Sequence, residues 1–222
     1  MSKVLKVVGI GCGGCLVLII AAALIIYTQL PSEIHVERSI QIEAPVEVVF
    51  PLVDTMKSWE QWDPWTEADP DMERTYEGPP AGVGAKNTWK STNRDVGEGW
   101  LVISESVTGE RVVFDLHIME GGEDQPGTGT FTFTSTDTGT RVKWEHDAQL
   151  EGTSMRVFGL VADMFLGTMF DTGLGNLKRV SEARVAKLGG GALPTKDELE
   201  GAMEEAVDNA IDKIEKGLGE GE

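Results

Sequence analysis

The chain has 222 residues, of which 41% are hydrophobic and 25% are charged, so its composition is that of a globular protein. Its formal net charge is −18, and the sequence contains no basic stripe. Polyphosphate backbones bind to basic surfaces, so we predict that nucleic acid is not a partner.

The N-terminal segment is the most apolar part of the chain. Residues 7–27, VVGIGCGGCLVLIIAAALIIY, contain no charge and have the length of a helix that spans a bilayer. The run is long for a signal peptide, and no small-x-small cleavage site follows it. We therefore predict that residues 1–32 form an uncleaved transmembrane anchor. Lys3 and Lys6 precede the run, so the positive-inside rule predicts a cytoplasmic N-terminus and an extracytoplasmic main domain.

Both cysteines of the chain, Cys12 and Cys15, lie within this segment. A C-x-x-C pair can bind a metal or take part in redox chemistry, but this pair lacks further ligands. We predict no metal and no cofactor. Gly9 and Gly13 form a G-x-x-x-G pattern, which permits close contact between helices and suggests a weak dimer. The main domain contains no cysteine, so core packing must stabilise it.

The main domain begins with a strand and a helix. Apolar residues alternate along residues 34–42, which predicts a strand. Residues 46–56 carry apolar side chains at helical spacing, and we expect Pro51 to kink or divide this helix. Pro64 disfavours helical geometry at the preceding residue, which predicts that the helical segment ends before Trp65.

Half of the six tryptophans lie in one short segment, SWEQWDPW: they are Trp59, Trp62 and Trp65. Two interpretations are open. In the first, all three rings fill the end of the core. In the second, Trp59 packs inward against the later long helix, at Phe165 or Met169, whereas Trp62 and Trp65 are partly exposed at the entrance of a cavity.

A polar loop at residues 66–84 precedes a series of candidate strands. These are residues 85–91, 99–106, 110–120, 129–136 and 140–150. The turns between them are rich in Gly, Asp and Thr, which is typical of an antiparallel meander. A long helix is then predicted from about Ser154 to Ala186, with one buried stripe. That stripe consists of Phe158, Val161, Phe165, Met169, Leu174, Leu177 and Val180.

Three segments carry a resemblance to a known family: ERSIQIEAPVEVVFPLVDTMKSWEQWDPW, VGAKNTWKS and MFDTGLGNLKRVSEA. They resemble the polyketide cyclase/dehydrase and lipid-transport branch of the START/Bet v 1-like (SRPBCC) superfamily, over residues 37–186. The resemblance implies an α+β helix-grip fold, in which a curved antiparallel sheet wraps around the C-terminal helix and leaves a cavity for an apolar ligand. It implies no catalytic set, because members share a pocket and not a reaction.

The alternation of side chains along the strands indicates which of them face the cavity. Together with the resemblance, it predicts a wall that is aromatic with few polar groups. The predicted ligand-binding residues are Trp59, Trp62, Trp65, Asn87, Trp89, Phe114, Phe131, Phe133, Trp144, His146, Phe165 and Met169. His146 is a candidate general base, or a histidine that is simply hydrogen-bonded to a neighbour such as Asn87. We predict no catalytic residue beyond this candidate.

The composition changes after residue 187. The segment LGGGALP is flexible in character, and a Thr195–Glu198 capping box follows. A narrow apolar stripe then runs from Leu199 to Leu218 among many acidic residues. We therefore predict three parts: an anchor at 1–32, a ligand-binding domain at 33–186, and a linker with an acidic amphipathic helix at 187–222.

The predicted function is that of a membrane-anchored binding protein for a hydrophobic small molecule or lipid. Two alternatives are open. One is a cyclase or hydrolase-like enzyme that uses His146 in the same pocket. The other is a non-catalytic interaction scaffold with a filled core.

Overall fold

The computed structural model describes residues 28–120 and 123–189, and its central element is a seven-stranded antiparallel sheet. The strands are β1 Glu33–Ile42, β2 Glu73–Glu77, β3 Lys86–Lys90, β4 Glu98–Val107, β5 Arg111–Glu120, β6 Glu123–Thr136 and β7 Gly139–Gln149. Their order in the sheet is β1-β7-β6-β5-β4-β3-β2. Strands β2 to β7 therefore form one meander, and the first strand closes the sheet against the last.

The helices cover one face of this sheet, which we call the inner face. They are α1 Val46–Asp54, a 3₁₀ helix at Met56–Gln61, α2 Pro64–Ala68, α3 Gly152–Phe158 and α4 Ala162–Gly189. Helix α4 packs mainly against β1 and α1. A long C-terminal helix on an antiparallel sheet is the α+β helix-grip arrangement, so the predicted fold class of the main domain is confirmed.

Three details refine the predicted elements. Pro51 lies inside α1 without dividing it. The segment expected to be a loop contains the short edge strand β2, whose sequence ERTYE carries only two strand-favouring residues. Finally, the helical segment ends before Trp65, as predicted, but a new helix, α2, begins at Pro64 and contains Trp65. Asp63 caps this helix, and Pro64 occupies its first turn, where a missing N–H costs nothing.

The predicted long helix is in fact two helices, α3 and α4, bent by 62° relative to each other. Gly159 lies at the break. A Cβ atom on this residue would lie 2.5 Å from Leu150 Cδ1 and 2.7 Å from Pro31 Cγ, so a larger residue would force these side chains to move. Among the described residues no single helix meets the length and hydropathy criteria of a bilayer span, whereas α3 and α4 meet them only as a bent pair.

An aromatic plug fills one end of the inner face; it consists of Trp59, Trp62, Phe131, Trp144 and Phe170. The ring centroids of Trp59 and Trp62 are 4.9 Å apart, and those of Trp144 and Phe170 are stacked at 4.1 Å. Both indole N–H groups donate to the carboxyl-terminal part of α1: Trp59 to Val53 O at 2.7 Å and Trp62 to Leu52 O at 2.9 Å. The plug is therefore tied to the backbone as well as packed.

The expected position of Trp62 at a cavity entrance is wrong, because only 1% of its surface is exposed. Trp65 is half-buried, and its ring centroid lies 6.1 Å from that of Trp144. The ring contacts of Trp59 are with Trp62, Phe114 and Phe131 rather than with an aromatic residue of the long helix. The first interpretation thus holds for two of the three tryptophans.

Several expectations lie outside the described residues. These are the anchor at residues 7–27, the Gly9/Gly13 contact, both cysteines, and the acidic tail beyond residue 189. They stay predictions.

The position of Trp62 leads to a stability prediction. We expect Trp62→Ala to lose about 3–5 kcal/mol of unfolding free energy, because it leaves a cavity in the plug and removes the donor to Leu52. Trp65→Ala, at a half-buried site, serves as the matched control and should lose clearly less. Unfolding of the full-length variants by guanidinium chloride, with both proteins in one detergent, measures both free energies. Equal losses would contradict the assignment of Trp62 to the core.

Candidate functional site

A cavity of about 480 Å³ occupies the other end of the inner face. The sheet forms its floor, and α3, the start of α4 and the loop between β3 and β4 surround it. Apolar side chains dominate the wall, among them Leu101, Leu116, Ile118, Met155 and Phe158. Small-molecule pockets are typically apolar and have volumes of about 300–1,000 Å³, so this cavity has the size and character of one.

The inner face of β6 changes in side-chain size from one end of the strand to the other. Its inward positions in order are Gly127, Gly129, Phe131 and Phe133. A Cβ atom on Gly129 would overlap the Phe114 ring, and one on Gly127 would lie 2.5 Å from His146 Cε1. The two glycines therefore leave room for neighbouring rings that line the cavity, whereas the two phenylalanines fill the core.

Eight of the twelve predicted ligand-binding residues line the cavity: Trp59, Trp65, Asn87, Trp89, Phe114, Trp144, His146 and Phe165. The other four, Trp62, Phe131, Phe133 and Met169, lie outside the lining. Phe131 and Phe133 are fully buried in the core, and Met169 is half-buried against it. Alternation along a strand identified the correct face of the sheet but not the position along it.

Asn87 supplies a polar group that the fold does not use. It lies on β3 and is buried, and its Oδ1 has no hydrogen-bond partner among the described residues. An unsatisfied buried amide oxygen costs about 1–3 kcal/mol, which is unusual unless something else binds there. Since Asn87 lines the cavity, a ligand that donates a hydrogen bond would satisfy it.

A second polar group in the wall is an ion pair that sequence reasoning missed. Asp63 accepts from Thr66 N at 2.7 Å and from Arg74 Nη2 at 2.9 Å, and both charged side chains are largely buried. The Asp-Pro dipeptide is a helix-start signal that could have identified Asp63 as a cap. No local signal points to Arg74, because only the pairing of β2 with β3 brings it close.

The mouth of the cavity is lined by different residues. Arg94 and Asp95 on the β3–β4 loop and Phe165 at the start of α4 line the cavity and are exposed to solvent. The site thus has an apolar interior with a few isolated polar side chains, and its rim is charged and aromatic.

The sequence matches the model of one family, described as polyketide cyclase / dehydrase and lipid transport, over residues 33–182. The chain belongs to this family. No functionally curated protein matches the sequence. The family assignment confirms the resemblance stated above and fits a cavity with an apolar wall.

Solved structures support the fold of this family member. A protein of unknown function from Staphylococcus aureus superposes with a TM-score of 0.53 at 15% identity, covering 68% of this chain and 95% of the other. An uncharacterized protein from Rhizobium leguminosarum gives a TM-score of 0.52 at 16% identity, again covering 68% and 95% of the two chains. At such identities the likeness concerns the fold alone.

Among the residues that line the cavity, His146 is the strongest candidate for acid–base chemistry. Its ring lies against Gly127 on β6. Burial lowers the pKa of His146 below its ordinary value of 6.5, while the charge of Asp147 and the Thr128 backbone act in the opposite direction more weakly. The side chain is therefore neutral near pH 7. Asp147 does not orient it, because that carboxylate lies on the outer face and contacts His35 at 2.8 Å.

One group of possible metal ligands lies on the outer face of the sheet. His35, Glu37 and Glu145 bring ligand atoms within 4.8 Å of one another. Lys143 already contacts both carboxylates, Glu145 at 2.7 Å and Glu37 at 3.9 Å, and its charge opposes a bound cation. The group is exposed and lies on the face opposite the cavity, and we assign it no metal.

The lowered pKa of His146 predicts how stability depends on pH. Below about pH 6.5 the unfolded chain gains a proton that the folded state resists, so this group reduces stability as the pH falls toward its folded pKa. Replacing it by a neutral residue removes that effect. We therefore expect His146→Gln to show a smaller drop in Tm than the parent between about pH 7.5 and pH 5.5.

His35→Gln is the control, with the opposite sign. The hydrogen bond to Asp147 raises the pKa of His35, so its contribution is present at low pH and is lost as the pH rises. Removing it should enlarge the acid-side drop in Tm. A His146→Gln protein whose pH profile matches the parent would show that His146 is not held neutral by burial.

Proposed function

We propose that this protein is a membrane-anchored binding protein that holds a hydrophobic small molecule or lipid in the cavity of its helix-grip domain. The observation that carries the proposal is the open half of the inner face, which holds an apolar cavity of about 480 Å³. The family's description, which includes lipid transport, is consistent with such a ligand. A packed protein interior leaves few voids of this size without a purpose.

The polar groups indicate where the ligand's own polar atoms would lie. Asn87 and the neutral His146 are buried, and neither carries a charge that requires a charged partner. Burying an unpaired charge is costly, so the part of the ligand that reaches the floor should be neutral. A charged group on the ligand fits only at the rim, near Arg94.

Binding is favoured over catalysis by the surroundings of His146. A general base is usually oriented by a third group and placed against a nucleophile or a reactive carbon. Among the described residues, no carboxylate orients His146, and no serine or threonine hydroxyl is hydrogen-bonded to it; its contact with Thr128 is to the backbone. A scaffold with a filled core is disfavoured by the cavity itself.

The proposal is tested by filling the cavity. Ala148 lies on the inner face of β7 and lines the cavity, so Ala148→Phe should occupy ligand space. We expect at least a tenfold loss of bound ligand, equivalent to about 1.4 kcal/mol or more, at nearly unchanged Tm. Native mass spectrometry of the full chain released from detergent counts ligand per protein, both as purified and after addition of cis-parinaric acid.

Thr130→Phe provides the matched control. Thr130 lies on the neighbouring strand β6 but on the outer face, between Val113 and Glu145, so the same enlargement leaves the cavity intact. The proposal fails if the parent carries no ligand under either condition. It also fails if both phenylalanine variants retain as much ligand as the parent.

The proposed membrane topology is tested separately. In a Cys12→Ser, Cys15→Ser background, Asp137→Cys places one thiol in the exposed turn between β6 and β7. If the main domain is extracytoplasmic, this thiol should react with a membrane-impermeant maleimide in intact cells. Ser2→Cys is the control and should react only after lysis. The reverse pattern would place the main domain in the cytoplasm.

A further inference from the structure

The bend between α3 and α4 exposes an apolar surface that the binding site does not explain. Its residues are Val157, Leu160, Val161, Met164 and Phe165, and between 46% and 71% of each is exposed. They lie at the end of α3, in the turn after it and at the start of α4, on both sides of the bend. We call this surface the apolar elbow. Scattered apolar residues on a surface need no explanation, but a contiguous group indicates an interaction site.

The apolar elbow is continuous with the mouth of the cavity. Met155, Phe158 and Leu166 belong to the same stretch of chain and line the cavity from the inside. Phe165 belongs to both sets, since it lines the cavity and is 47% exposed. A partner that covers the elbow therefore lies directly against the entrance.

The N-terminal end of the main domain lies against the same bend. Leu150 N donates to Ser32 O at 2.8 Å, and Pro31 packs against Gly159 at the centre of the bend. The uncharged run at residues 7–27 ends just before this point in the sequence. Three residues, 28–30, span at most about 10 Å. Whatever surface holds the uncharged run is therefore close to the elbow.

Charge on the elbow is small. Between residues 152 and 166 the charged side chains are Arg156 and Asp163, and Asp163 is bonded to Arg38 at 2.9 Å. The chain as a whole carries a net charge of −18, which opposes attraction to anionic headgroups. An uncharged apolar surface matches the interior edge of a lipid layer better than it matches a charged protein partner.

We propose that the apolar elbow inserts into the surface of the lipid bilayer, so that the mouth of the cavity opens toward membrane lipid. The inference rests on the proposed function for the anchor, but not on the identity of the ligand. Its consequence is that an apolar ligand passes between bilayer and cavity without crossing water.

A depth measurement on the full chain in phosphatidylcholine vesicles tests the insertion directly. In the Cys12→Ser, Cys15→Ser background, Met164→Cys carries the fluorophore NBD on the elbow. Val83→Cys is the matched control, since Val83 is 60% exposed on the β2–β3 loop, away from the cavity lining. We expect the Met164 label to be quenched by lipids with spin labels on their acyl chains and protected from iodide, and the Val83 label to behave oppositely.

Two results would overturn the proposal. If iodide quenches the Met164 label as readily as the Val83 label, the elbow is in water. If the Met164 label is protected from iodide yet unaffected by spin-labelled lipid, the elbow is covered by protein, either the acidic tail or a second copy of the chain.

A transfer measurement separates this inference from the proposed function. Leu160→Asp with Met164→Asp places two charges on the elbow, and neither residue lines the cavity. We expect transfer of a pyrene-labelled fatty acid from vesicles to the protein to slow at least about tenfold, with unchanged final occupancy. Val83→Asp should alter neither quantity. An unchanged transfer rate in the double variant overturns the inference, while the proposed function stands. If the cavity is empty in every protein, the proposed function is overturned, and the depth measurement alone decides whether the elbow inserts into the bilayer.

Discussion

The volume of side chains along the inner face of β6 determines the character of the whole domain. Phe131 and Phe133 make one end of the sheet into a packed core, and Gly127 and Gly129 make room at the other end for the rings of His146 and Phe114, which line the cavity. Both glycines are in extended backbone, so their value here is the absence of a side chain rather than unusual dihedral angles. The rings of Phe114 and His146 occupy the space that Cβ atoms at these positions would take, so the glycines help to set where the cavity wall lies.

An open cavity removes packing energy, and the filled end has to supply the stability that the open end lacks. The aromatic plug does so with dispersion contacts and with two indole hydrogen bonds to α1. The Asp63–Arg74 pair lies beside it and is hydrogen-bonded to Thr66, so its buried charges are satisfied. Removing either partner would leave an uncompensated buried charge, which costs about 3–5 kcal/mol.

The fold was predictable from the sequence because local patterns and their order agree: alternating strands, glycine-rich turns and a final helical stripe. The site was predictable only in part. Periodicity assigns Trp144 and Phe133 to the same face of the sheet, but it cannot show that Trp144 lines the cavity and Phe133 does not. Gly127 and Gly129 carried the missing signal, since two glycines at inward positions indicate room for a neighbouring group. The partnership of Arg74 with Asp63 and the bend at Gly159 depend on contacts between distant segments, and no local pattern encodes them.

Helix α4 joins the entrance of the cavity to the core, and it is held more firmly than helix α3. Arg38 crosses beneath Gly167 and bonds to Asp163 and Asp171, which fixes the helix to β1 on either side of that glycine. Farther along, Phe170 stacks in the plug. Helix α3, in contrast, contributes no fully buried residue. Moving α3 exposes little apolar surface, whereas moving α4 breaks ion pairs and the core. Helix α3, which carries Val157 of the apolar elbow as well as Met155 and Phe158 of the cavity lining, therefore costs less to displace than α4.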